Sequence, residues 1–273
     1  MEIESIFSKI STILSHQGFR RYSVNTMWLF IEQLIRMIVG FFVGVWVARY
    51  LGPNKFGLFS YALAFVSIFQ GIAKLGLDGI VVRELVKNPE NRDLYLGTSF
   101  WLKLIGGFIT FLIISVSILF MQKDKMTALY VIIIAGGLIF QGFEVIDFYY
   151  QATVQAKYIS IRRLIQLFIS SVIKIFLILS KADLIWFVIV ILIDSISLAI
   201  LSWFIYRKQG LPNFIKYFDW NTSKIFLKDS WPLILSSVAV MIYMRIDQIM
   251  IKNMLGDKEV GLYSAAVKLV EVW

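Results

Sequence analysis

The sequence predicts an all-α, polytopic membrane bundle, and three observations carry that expectation. Of the 273 residues, 59% are hydrophobic and only 16% are charged, where a soluble domain carries about 25% charged residues. The apolar residues arrive in runs long enough to cross a hydrocarbon core of about 30 Å, which takes about 20 helical residues. Third, one short segment occurs twice, 204 residues apart, each time at the end of such a run.

Composition also excludes several kinds of chemistry. With no cysteine and a single histidine, His16, the chain lacks disulfides, thiolate ligands, a histidine metal cage and a Ser-His-Asp triad. The formal net charge of +9 is read as topological rather than as a nucleic-acid surface, because most basic residues lie between apolar runs. No cleavable leader is evident: the first 26 residues are polar and mixed, and the run that follows is long enough to span.

Seven runs are expected to span, each as a helix, because an open backbone in lipid must satisfy its own hydrogen bonds. The first, 27–49, contains Glu32 and Arg36, four residues apart and so on one face as a pair. The second, 56–77, ends near Lys74 and Asp78, which are expected at the interface. The third, 96–121, holds Lys103 about two turns inside, from where it is expected to snorkel to the cytoplasmic face. The fourth, 126–151, carries Gln141, Glu144, Asp147 and Gln151 every three or four residues as a polar stripe. Glu144 is the candidate proton or Na⁺ site of that stripe, and Asp147 is read as nearer the interface.

The fifth and sixth runs, 161–180 and 183–206, hold Lys174 and Asp194, expected to pair across the helices. The seventh, 230–252, holds Arg245 and Asp247, which are two apart and point to different faces. An eighth run opens near 260. Ionisable groups at such depths normally face a bundle interior or a watery cavity.

Counting loops on alternate sides gives 14 basic residues on one side, from Lys9 and Arg20 to Lys228 and including Arg162 and Arg163. The other side holds 7, among them Lys55 and Lys123. This bias places the N-terminus in the cytoplasm. The longest loop, about 207–229, mixes Phe214, Tyr217, Phe218 and Trp220 with lysines, which suits a segment at the cytoplasmic lipid surface.

Residues 51–62 read LGPNKFGLFSYA and residues 255–266 read LGDKEVGLYSAA, with six identities at the offset of 204. Since that interval holds six spans, both copies have the same orientation, the pattern of parallel repeats. The expected organisation is a six-helix bundle over 1–210, an interfacial linker over 211–229, and the start of a second bundle over 230–273. The chain therefore reads as the N-terminal portion of a longer one.

The segments WVARYLGPNKFGLFSYA (46–62), LGLDGIVVRELVKN (75–88) and MRIDQIMIKNMLGDKEVGLYSAAVKLVE (244–271) resemble the polysaccharide transporters. These are the lipid-linked oligosaccharide flippases of O-antigen and capsule synthesis, within the multidrug, oligosaccharidyl-lipid and polysaccharide exporter superfamily. The resemblance covers the chain in helix order. It implies two six-helix bundles about a central cavity, a bacterial cytoplasmic-membrane location, and a role for Asp247.

The same resemblance implies an undecaprenyl-diphosphate-linked oligosaccharide as cargo, moved by alternating access. Arg36 and Arg245, on related helices, are the expected cations for its diphosphate. No cofactor is expected; H⁺ exchange, Na⁺ exchange and the membrane potential remain alternatives for resetting the carrier. Membrane lipids, and a polymerase or glycosyltransferase of the same synthesis, are the expected partners. Two rival readings are a cation-coupled multidrug extruder, which would favour acidic cavity residues, and a membrane polymerase or glycosyltransferase. The latter needs a large catalytic loop, and every loop expected on the outer side is under about ten residues.

Overall fold

The computed structural model describes residues 17–121 and 124–270. Lys9, His16 and Lys123 lie outside the described residues, as does the side chain of Arg20. All regular structure among the described residues is helical. Helix α1 (Gln17–Lys74) is two rods joined at Gly52, where φ is 69° and ψ is 171°, with Pro53 following. After it come α2 (Asp78–Lys87) and α3 (Arg92–Met121). Helix α4 (Lys125–Gly136) runs through a 3-10 stretch, Gly137–Glu144, into α5 (Val145–Ala152). The remaining helices are α6 (Ala156–Leu179), α7 (Leu184–Lys208), α8 (Trp220–Leu255) and α9 (Asp257–Val270).

Among the described residues, five stretches are long and apolar enough, by length and composition alone, to cross a membrane. The first holds both rods of α1. Helix α6 is not among the five, because Lys157, Arg162, Arg163 and Lys174 spread charge along its length. Helix α8 has 36 residues, about 54 Å at 1.5 Å per residue, so it starts well before the apolar run at 230.

The starts of α4 and α8 are capped by carboxylates. Asp124 accepts from the amides of Met126 and Thr127 at 3.2 and 3.1 Å. Asp219 accepts from the Thr222 amide at 2.7 Å. The amide and hydroxyl of Thr222 hold the Asp219 carboxyl below the ordinary carboxylate range. At Asp124 the Thr127 hydroxyl is the largest cause of the same shift.

Both copies of the repeated segment turn at glycine. Gly256, which ends α8, has φ of 102°, and Gly52 has φ of 69°, values that a side chain would strain. Five residues further on, the two copies meet. A Cβ on Gly57 would overlap the carbonyl oxygen of Asp257, and one on Gly261 would overlap that of Pro53. Asp257 is the counterpart of Pro53 at the offset of 204, so the contact is reciprocal. Reciprocity of this kind is what a two-fold axis produces.

The core divides into two apolar layers. One gathers Phe59, Phe65, Ile114, Ile118, Val131, Phe187 and Val188 near the Gly52 end of the helices. The other gathers Leu77, Phe100, Val145, Ile146, Phe148, Tyr206 and Phe214 toward the Lys74 end. Polar residues of α1, α5, α6 and α7 interrupt these apolar clusters and line a cavity.

Candidate functional site

The cavity has a volume of about 410 Å³. Its walls carry Arg36 and Lys74 of α1, Asp78 of α2, Glu144 of the 3-10 stretch, Asp147 of α5, and Arg162 and Arg163 of α6. Four cations and three carboxylates leave a formal charge of +1. The 3-10 winding explains why Gln141 and Glu144 both reach it: at three residues per turn, side chains at i and i+3 eclipse. Asp147, three further on, continues the line at the start of α5.

Behind Glu144 lies Lys103, with 0% of its surface exposed. Its Nζ sits 2.8 Å from Glu144 Oε2 and 3.5 Å from Asp78 Oδ1, and 4.9 Å from the Phe148 ring centroid. This corrects the expectation of snorkelling. Two carboxylates and a ring face replace the water the ammonium would otherwise seek. Asp78, whose side chain is 55% exposed, thus also serves as a partner of Lys103 on α3.

The second network links four helices. Asp147 is 5% exposed, and its Oδ2 accepts from Arg162 Nη2 at 2.7 Å and Arg163 Nη2 at 3.4 Å. Arg162 also donates to the Ser202 hydroxyl of α7. Arg163 Nη1 reaches 3.8 Å from Oε2 of Glu32, which is 2% exposed, and Glu32 Oε1 lies 3.3 Å from Arg36 Nε. Arg36 also donates to Gln33, and its side chain is 46% exposed. Asp147 is thus deeply buried inside the protein, where two arginines neutralise it.

Hydrogen-bonding capacity is left over in this wall. Glu32 Oε1, Asp147 Oδ1, Gln141 Oε1 and Arg162 Nε are buried without a hydrogen-bond partner among the described residues. Atoms of this kind mark a place that water or a polar ligand completes. Arg163 is the hinge of the arrangement, shared between two buried carboxylates on different helices.

Arg36, Glu144 and Asp147 therefore line one cavity, with Glu32 directly behind Arg36. The other candidates lie elsewhere. Lys174 Nζ is 3.5 Å from Asp194 Oδ2, and Ser170 donates to the same oxygen at 2.8 Å, so the pair ties α6 to α7 away from the cavity. Arg245 lines a separate cavity of about 270 Å³ with Phe59, Ser67, Gln248 and Lys268. Asp247 accepts a hydrogen bond from the Tyr263 hydroxyl of α9. Arg36 and Arg245 are not brought together.

Sequence reasoning missed Lys74, Lys103, Arg162 and Arg163 as members of the site. The loop count includes both arginines because they stand at the very start of the fifth apolar run, 161–180. Helix α6 instead starts at Ala156, after a tight turn in which Val154 has φ of 56°. That puts Arg162 and Arg163 nearly two turns inside a helix. The acidic stripe on the fourth run was the available signal, since buried carboxylates demand cations nearby.

Comparison with known proteins adds one finding. The model of a family described as polysaccharide biosynthesis protein matches residues 23–273. No curated protein matches the chain, and no solved structure does.

Proposed function

The chain belongs to the polysaccharide biosynthesis protein family, and from that premise we propose that it takes part in moving a lipid-linked oligosaccharide across a bacterial cytoplasmic membrane. The observation that carries the proposal is a cavity of net positive formal charge, lined by side chains of helices that are otherwise apolar. Charges are retained at such depth only where they serve a path or a partner. The fitting partner is an anion, and the diphosphate of an undecaprenyl-linked sugar supplies one.

In this reading Arg36 and Arg163 receive the phosphate oxygens through charge-assisted hydrogen bonds, with Lys74 as a further point charge. Glu32 and Asp147 hold the two arginine forks in place and are displaced from them as phosphate arrives. The sugar occupies the wet cavity while the lipid tail stays in the bilayer. Glu32, Glu144 and Asp147 are the carboxylates on which H⁺ or Na⁺ exchange would act.

The basic bias of the loops supports a cytoplasmic N-terminus, with the Lys74 end of the cavity on that side. In that orientation the reciprocal contact of Gly57 with Gly261 would lie on the outer side. A multidrug extruder for cationic cargo fits less well, because the lining is net positive. Polymerase or transferase chemistry fits less well too, since the longest connection between helices among the described residues is 209–219.

The test is binding to the purified chain of undecaprenyl diphosphate and of neutral undecaprenol. The diphosphate should bind at least about tenfold more tightly, since hydrogen bonds to charged groups contribute about 1.5–3 kcal/mol each. Arg36→Ala and Arg163→Ala should each erase most of that difference. Equal binding of the two lipids would overturn the reading.

A further inference from the structure

A second, unassigned pocket of about 600 Å³ lies at the foot of α1, against the turn between α5 and α6. Arg21, Asn25 and Trp28 line it from α1, and Gln155, Lys157 and Tyr158 from the turn and the start of α6. Two of these carry positive charge and none carries negative charge. Neither Arg21 nor Lys157 is in an ion pair among the described residues.

The pocket is built rather than incidental. Arg21 Nη2 donates to the Thr153 carbonyl at 2.6 Å, and Asn25 Oδ1 accepts from the Ala156 amide at 2.5 Å. These bonds fix the foot of α1 to the turn while using one donor of the Arg21 fork, which has five. Lys157 Nζ is 5.9 Å from the centre of the Trp28 ring and stays exposed. Cations beside an amphipathic ring are the chemistry of a lipid headgroup level.

Exposed apolar side chains continue away from the pocket along α1, on the pocket's face and on others such as those of Tyr22, Leu29 and Phe30. Val24, Met27, Ile31, Ile38 and Phe42 are all exposed and recur every three, four or seven residues, so they share one face. From Val24 to Phe42 is about 27 Å along the axis, more than the roughly 15 Å that one leaflet's acyl chain needs. The head site and the tail track are therefore continuous.

We propose that this pocket holds the phosphate of an anionic glycerophospholipid whose acyl chain lies along that face of α1. The bound lipid would brace the foot of α1 against the α5–α6 turn. The site is separate from the charged cavity, so the proposal stands or falls independently of the cargo.

The test uses the purified chain with phosphatidylglycerol and phosphatidylcholine of identical acyl chains, read by native mass spectrometry. Wild-type protein should retain phosphatidylglycerol at least about tenfold over phosphatidylcholine. The double variant Arg21→Gln, Lys157→Gln should lose that preference while keeping its melting temperature, because both side chains are exposed. Lys258→Gln, an exposed cation on the opposite side, should leave the preference intact. The proposal is overturned if wild-type shows no preference, if the double variant keeps it, or if glycerol 3-phosphate alone displaces the lipid at equal concentration. It is equally overturned if undecaprenyl diphosphate, and not phosphatidylglycerol, is the lipid whose retention depends on Arg21 and Lys157.

Discussion

Gly57 and Gly261 meet backbone to backbone, and each holds in its own copy of the repeated segment the position the other holds in its copy. The contact joins α1 to α9 at the level where two chain reversals, at Gly52 and Gly256, bring the segments together. No side chain fits there.

The first prediction follows from that fit. Gly57→Ala would place a Cβ against the Asp257 carbonyl, and backbone cannot move aside without parting the helices. Overpacking of this kind costs about 1–3 kcal/mol, so the melting temperature should fall. Gly40→Ala is the control, since nothing lies within 4 Å of its Cβ position. It should leave the melting temperature unchanged or raise it.

The second concerns Asp147. Removing it leaves Arg162 buried without its counter-charge, a loss of about 3–5 kcal/mol. Asp147→Ala should lower the detergent melting temperature sharply. The double variant Asp147→Ala, Arg162→Met should recover part of the loss, because no uncompensated charge remains.

Lys103 gives a third. Lys103→Met strands Glu144 and Asp78 facing one another's wall, and Glu144→Gln strands the ammonium. A double-mutant cycle on Lys103 and Glu144 should return a coupling of about 0.5–3 kcal/mol, the range for residues in one ion network. Zero coupling would mean that the 2.8 Å contact does not persist in the membrane.

A fourth prediction is a pH dependence with a defined sign. The folded Asp219 carboxyl titrates below its ordinary value near 3.8. Its contribution to stability is therefore fully present above that value and is lost as pH falls through the folded-state value. Asp219→Asn keeps an oxygen acceptor for the Thr222 amide but cannot titrate. A melting series should show the wild-type dropping more than Asp219→Asn on the acid side and the two running parallel near neutrality.

Much of the fold was legible in the sequence because membrane helices announce themselves by apolar length and cannot be replaced by another spanning structure in an open chain. The repeat at 204 residues marked where two chain reversals meet, since only glycine serves both the reversal and the contact. The cavity was half legible. Glu32, Arg36, Glu144 and Asp147 stood out as charges inside apolar runs. Arg162 and Arg163 did not, because hydropathy places a helix start where polarity ends, whereas α6 begins at Ala156 with its first turns still charged. Lys103 was visible, but its direction depended on two carboxylates from other helices, which spacing along one helix does not encode. The separation of Arg36 from Arg245 was likewise a matter of packing, which periodicity alone leaves open.

The central claim is that the charged cavity carries an anionic lipid head through the bilayer, with Arg36 in direct contact. Its most direct measurement is the translocation rate of a fluorescent undecaprenyl-diphosphate sugar in proteoliposomes containing this chain, with wild-type and Arg36→Ala protein inserted to equal levels. The account predicts translocation by wild-type and a rate at least about tenfold lower for Arg36→Ala. Equal rates for the two proteins, or a wild-type that moves a cationic dye and leaves the diphosphate lipid in place, would contradict it.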